Sequence, residues 1–392
     1  MKKIYLDVSM VMIGTNFTGV PRVVMELAKR LYNSGKFDIN FVEYNQKNDA
    51  FRLLDTDGFI KFTETKTDKR NAIRTDKYIP FEEMEEGSIF FDCDTVWKTR
   101  VRRSFLYPIL KKNGVKVVPF IHDIIGIDYP QFCENSDVMN FIDFIGASLL
   151  YADRIIVTTN TTKKAILAQG ERMKMDLPDI AIVGLGGDFN RKTTNEENVK
   201  AKIKDIAAAG DYFLMVGTIE PRKNHKLLLE TYQKHLRGKI NLVMAGYSGQ
   251  GMEDFFEKIA NDPDCDKGLW HVDNASDDDI NYLYKHAFAF VFPSYIEGYG
   301  LPLIEAFIRE VPVIASDNDI NREVAGERAL FFEQDNSEDL AKIINELLSD
   351  EEKYKTLRES VKGYKPRTWD ETGNNLIKEF EGIYGEKENC IC

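Results

Sequence analysis

Short, almost uninterrupted apolar runs recur along the chain and alternate with stretches in which apolar residues return at helical spacing. Runs of the first kind read as strands buried on both faces of a parallel sheet, and stretches of the second kind as helices packed against it. In the first half, Ile4 to Val8, Asn40 to Tyr44, Ser88 to Phe91, Val115 to Phe120, Arg154 to Thr158 and Ile180 to Val183 are predicted strands. Pro21 to Leu31, which stops before Asn33-Ser34-Gly35, and Asp137 to Leu150 are predicted helices. From about Asn45 to Glu86 the chain is polar and poorly patterned, so no element is predicted there.

Between Phe189 and Gly210 the composition turns polar and then rich in Ala and Lys, and the alternation restarts. Strands are predicted at Tyr212 to Val216, Ile240 to Ala245, Leu269 to Val272, Ala287 to Phe292, Val311 to Ala315 and Ala329 to Phe331. Helices are predicted at Asn224 to Leu236, Met252 to Asn261, Ser276 to Ala287 behind a capping box, and Ser337 to Leu348. Two such series imply an α/β protein with two doubly wound, Rossmann-like domains, 1–195 and 196–365, facing across a cleft. A last helix, about Trp369 to Tyr384 within 366–392, follows Lys365-Pro366-Arg367 and is expected to return to the first domain.

One stretch concentrates candidate chemistry. Phe292 to Ala306 reads F-P-S-Y-I-E-G-Y-G-L-P-L-I-E-A, a strand end, a glycine-bracketed turn and a helix start with Glu297 and Glu305 on either side. Gly298 and Gly300 suit positive φ and close approach to a ligand, and Pro302 suits the first helical position. Backbone N–H groups from Gly300 to Leu303 would then form an anion site at a helix N-terminus. In the first half, His122 stands at the carboxyl edge of a predicted strand, where open sheets bind ligands.

Composition narrows the function. A chain of 392 residues with 43% hydrophobic content is long enough for two full cores, and its net charge of −12 disfavours a general nucleic-acid binder. No apolar run approaches the ~20 residues of a membrane span and no signal-peptide core follows the start, so a cytoplasmic protein is expected. Cys93, Cys133, Cys265, Cys390 and Cys392 show neither zinc spacing nor a C-x-x-C pair, which fits a reducing compartment. Against the acidic background, Lys98 to Lys112 carries six basic residues and no acidic ones around an apolar centre. That segment is either a helix on the core or a dock for an anionic membrane surface.

The paired glutamates in E-G-Y-G-L-P-L-I-E, together with Val216-Gly217-Thr218-Ile219-Glu220-Pro221-Arg222-Lys223-Asn224, resemble the retaining glycosyltransferases of family 4, which have the GT-B architecture. Thr18-Gly19-Val20-Pro21-Arg22, His122-Asp123 and Val183-Gly184-Leu185-Gly186-Gly187-Asp188 extend the resemblance over almost the whole chain. It implies transfer of a hexose from a nucleotide sugar to a glycan or lipid-linked saccharide, with retention and without a metal or other cofactor, in surface polysaccharide synthesis. The variants look most like mannosyltransferases, making GDP-mannose the first donor to consider.

On that resemblance His122, Arg222, Lys223 and Glu297 are the catalytic candidates. Gly19, Thr218, His271, Gly298, Tyr299, Gly300, Leu301 and Glu305 are the donor-binding ones, Glu305 toward the ribose. Arg222 and Lys223 would neutralise the diphosphate leaving group. Thr218 stands where many family members carry arginine, so Arg222 is expected to take over that charge. Asp92-Cys93-Asp94 has the form of a metal-binding D-x-D, a reading set aside because it lies in the other domain from the basic loop. Two alternatives share the fold: a sugar-nucleotide epimerase or phosphorylase, and a nucleotide-sugar-binding scaffold without catalysis.

Overall fold

The structure is a computed structural model describing residues 1–14, 19–65, 70–133, 135–188, 194–249 and 251–385. Thr18 of the T-G-V-P-R segment, residues 189–193 of the polar linker, and Cys390 and Cys392 lie outside the described residues. The chain divides into two compact units, Met1–Gly186 with Arg367–Cys392, and Gly187–Pro366. The first division point thus falls at Gly186/Gly187, where the polar composition of the linker had placed it at 195/196.

The first unit is built on strands β1 (Lys2–Asp7), β2 (Phe37–Asn45), β3 (Ala50–Leu54), β4 (Arg74–Ile79), β5 (Ile89–Asp92), β6 (Lys116–Ile121), β7 (Arg154–Val157) and β8 (Asp179–Ile182). They form one sheet in the order β4-β3-β2-β1-β5-β6-β7-β8. β1, β2 and β5 to β8 run parallel, whereas β3 and β4 join antiparallel at the edge. These two edge strands and the helix Thr56–Thr65 fill the stretch for which the sequence predicted nothing. β4 exposes much of both faces, so neither a continuous apolar run nor a clean alternation marks it.

Parallel pairing alone builds the second unit: β9 (Tyr212–Val216), β10 (Asn241–Ala245), β11 (Leu269–Val272), β12 (Ala289–Phe292), β13 (Val313–Ser316) and β14 (Ala329–Phe332), ordered β11-β10-β9-β12-β13-β14. β12 is buried at every position, as its uninterrupted apolar run requires. Winding runs outward from β9 on one side and from β12 on the other. The switch point lies between those two strands, so the loops leaving their carboxyl ends border the crevice where such sheets take ligands.

The C-terminal helix Trp369–Gly385 belongs to the first unit, where it packs against the helix Val20–Asn33. Phe380 stacks edge-on against Phe37 and Phe91, with centroids 6.0 and 5.0 Å away, and the Tyr384 hydroxyl donates to the Lys3 carbonyl at 2.7 Å. Gly186 explains how the returning chain fits. A Cβ there would sit 2.5 Å from both the Trp369 ring and its backbone nitrogen, so only glycine lets the two segments touch.

Candidate functional site

The loop leaving β9 carries the basic residues. Pro221–Lys223 form a single 3-10 turn, and Asn224 follows at φ 54°, a left-handed conformation that asparagine tolerates, capping the helix His225–Thr231. The loop leaving β12 carries Glu297. Gly300 stands at φ 87° as the cap of the helix Leu301–Ile308, with Pro302 in its first turn, while Gly298 stays outside the left-handed region. The turn is therefore as the sequence predicted, with the special backbone angle at one glycine of the two, and the helix starts one residue before Pro302, at Leu301.

Switch-point geometry brings the two loops together. Arg222 Nη1 lies 2.7 Å from Glu297 Oε2, and Lys223 Nζ lies 3.2 Å from Glu297 Oε1. The Arg222 guanidinium also donates to Glu220 at 2.6 Å and to the Ile296 carbonyl at 2.8 Å, and the Tyr295 N–H donates back to the Arg222 carbonyl at 2.9 Å. Lys223 Nζ sits 5.7 Å from the centre of the Phe292 ring, so its stem runs along the buried strand end. Burial works to raise the Glu297 pKa, but the Arg222 and Lys223 charges outweigh it and hold the carboxyl down to about 2. The result is two cations fixed by one ionised carboxylate at the edge of the sheet.

Further side chains, which the sequence did not single out, hold this turn. Asn318, just past β13, donates to the Ser294 and Tyr295 carbonyls at 3.1 and 3.3 Å, and Gln334, just past β14, donates to the Tyr295 carbonyl at 2.8 Å. Asp335, at φ 62°, accepts from Asn224 Nδ2 at 3.0 Å and from the Tyr295 hydroxyl at 2.5 Å. It therefore ties the basic loop to the acidic turn. The one signal that could have found these residues is position: each follows a strand of the same sheet at its carboxyl end.

The remaining candidates of this unit belong to the same sheet and its connections. Glu305 is half-buried on the helix Leu301–Ile308 and Thr218 is exposed on the loop after β9. Tyr299 and Leu301 are half-buried in the turn and pack against the apolar core beneath it. His271, in β11, donates from Nε2 to the Gly246 carbonyl at 3.0 Å and packs against Phe256 with centroids 4.9 Å apart.

His122 and Gly19 belong to the first unit. Gly19, at φ 63°, caps the helix Val20–Asn33. His122 is buried just past β6, and burial lowers its pKa to about 4, leaving the imidazole neutral near pH 7. Its Nε2 lies 2.8 Å from the Cys93 carbonyl. A carbonyl only accepts, so Nε2 carries the proton and Nδ1 keeps the lone pair.

Asp92-Cys93-Asp94 directs its carboxylates to separate tasks. Asp92 pairs with buried Arg103 at 2.7 Å and accepts from the Tyr107 hydroxyl at 2.6 Å, while Asp7 takes the other side of the same guanidinium at 2.7 Å. Asp94 instead accepts from the Met10 and Val11 backbone N–H groups at 2.8 and 2.9 Å. This corrects the reading of Lys98 to Lys112 as a basic surface segment in one respect: Arg103 is 1% exposed and serves a core ion pair. Paired carboxylates recruit it inward, where an unpaired guanidinium would never be buried.

Two doubly wound α/β units with this loop chemistry have the GT-B architecture of glycosyltransferases. Over nearly its full length the chain superimposes on sucrose-phosphate synthase from Thermosynechococcus elongatus, with TM-score 0.66, 17% identity and coverage of 98% and 100% of the two chains. Anabaena HepE, solved with UDP and glucose, gives 0.66 at 13% identity, covering 97% and 100%. Residues 196–363, less than half of the chain, match the family model described as glycosyl transferases group 1. The serotype-specific mannosyltransferase WbdA of Escherichia coli is 27% identical over 367 residues, 89% of this chain and 43% of WbdA. The O-antigen chain mannosyltransferase RfbU of Salmonella typhimurium is 24% identical over 228 residues, 58% of each chain. The chain thus spans less than half the length of WbdA.

Proposed function

We propose that the chain is a retaining glycosyltransferase of the family 4 type that moves a hexose from a nucleotide sugar to a growing glycan or lipid-linked saccharide. The observation that carries this reading is Arg222 and Lys223 held against Glu297 at the switch point between β9 and β12. Breaking the bond between the sugar C1 and the diphosphate oxygen leaves charge on the phosphate. Arg222, Lys223 and the N–H groups at the start of the helix Leu301–Ile308 are the groups suited to receive it. No step requires a metal or another cofactor, because the chain's own cations do the neutralising. Glu297 shares its cations with the diphosphate and orients the sugar, Glu305 takes the ribose hydroxyls, and the acceptor hydroxyl bonds to C1 while its proton passes to the leaving phosphate.

Mannosyltransferases among the relatives favour mannose as the sugar and GDP-mannose as the donor. HepE, seen with UDP and glucose, makes UDP-glucose the donor to compare. A thermal-shift panel of GDP-, UDP-, dTDP- and ADP-sugars decides between them, since the true donor raises the unfolding temperature by mass action. Transfer is then measured to saccharide acceptors with the preferred donor. Near-normal turnover by both Lys223→Ala and Glu297→Ala would sink the assignment.

A further inference from the structure

The helix Asn135–Tyr151 is apolar on two faces. Phe141, Phe144, Ile145 and Leu149 pack into the core of the first unit. Outward, at spacings of three, four and four residues, stand Met139, Ile142, Gly146 and Leu150. Met139, Ile142 and Leu150 are 62%, 44% and 61% exposed, and a Cβ added at Gly146 would meet nothing within 4 Å. A helix lying on a soluble protein normally turns charge outward, so an apolar stripe three turns long marks a surface that something covers.

Its surroundings say what. The segment before the helix Arg103–Lys112 runs beside the first half of the stripe helix: Lys98 lies 3.5 Å from Asp137, Trp97 packs edge-on against Phe141 at 4.8 Å, and the Arg103 N–H donates to Asp143 at 2.8 Å. Lys98, Arg100 and Arg102 are exposed there together with Phe105, itself 56% exposed. At the far end Lys111 bonds Asp153 at 2.6 Å, just past the helix, with exposed Lys112 next to it. In a chain of net charge −12, a cationic flank has gathered around an apolar stripe.

We propose that this face docks on an anionic lipid bilayer. The stripe and Phe105 enter the headgroup boundary, and Lys98, Arg100, Arg102 and Lys112 meet acidic headgroups. A second copy of the chain fits less well, because a two-fold contact on the stripe sets basic flank near basic flank. The surface goes beyond the transfer reaction and does not rest on it.

Sedimentation of the full chain with phosphatidylcholine vesicles, with and without phosphatidylglycerol, tests the proposal without turnover. The bound fraction rises with phosphatidylglycerol and falls with salt. Ile142→Asp with Leu150→Asp, or Arg100→Glu with Arg102→Glu, lowers vesicle affinity by about tenfold or more while leaving the unfolding midpoint unchanged. Equal binding to neutral vesicles, or variants that bind as the wild type does, would overturn it. So would a dimer in light scattering that the Ile142 and Leu150 substitutions abolish, which would assign the face to a second copy.

Discussion

Burial works to raise the Glu297 pKa, but Arg222 and Lys223, at 2.7 and 3.2 Å, outweigh it and keep the carboxyl ionised. Its folded pKa is depressed, so its contribution to stability is complete above the ordinary glutamate range and is lost as pH falls from about 4.5 toward about 2. Urea unfolding of wild type and Glu297→Gln should differ by up to about 3 kcal/mol at pH 7 and converge as the pH approaches 2. In activity, Glu297→Gln should lower kcat by about a hundredfold or more in a steady-state transfer assay. His122 behaves oppositely in charge but similarly in direction. Its depressed pKa keeps it neutral, so the stability it contributes is full above about 6.5 and declines toward about 4. A nitrogen-resolved NMR titration should show the neutral Nε2–H tautomer throughout the range from pH 6 to 8.

At the scale of elements, the site consists of loops that one sheet aligns and side chains from neighbouring loops clamp. Asp335 touches both the basic loop, through Asn224, and the acidic turn, through Tyr295. We therefore expect it to act as a positioning residue. Asp335→Ala and Tyr295→Phe should lower kcat about tenfold, with a smaller change in donor KM and an unfolding midpoint close to wild type. Steady-state kinetics on the purified variants checks this, and a wild-type kcat in both would show that the clamp does not matter for turnover. In the sequence Asp335 and Asn318 are ordinary loop residues without a motif. They become relevant because a parallel sheet delivers every strand's carboxyl end to one edge.

For the molecule as a whole, the return of the last helix to the first unit determines which residues that unit needs in order to fold. Phe380 is fully buried between Phe37 and Phe91, and Trp369 closes against Gly186. Phe380→Ala should cost about 3–5 kcal/mol, the usual penalty for deleting a buried aromatic ring, seen as an earlier urea midpoint of the first unit. The second unit's donor affinity should be unchanged in the same variant.

Much of this was determined by the sequence alone. Uninterrupted apolar runs such as Ala287 to Phe292 read as strands buried on both faces, and their alternation with helical spacing leaves few alternatives to two doubly wound sheets. The E-G-Y-G-L-P-L-I-E turn and the P-R-K loop were likewise legible, because glycine, proline and clustered charge carry their structural meaning locally. What only the tertiary structure decided depends on distant residues meeting. The edge strands β3 and β4 take their form from β2. Arg103 is a core ion-pair partner instead of a surface cation because Asp7 and Asp92 converge on it from two strands. And Arg222 and Lys223, more than seventy residues before Glu297, become one site with it because strand order places β9 beside β12.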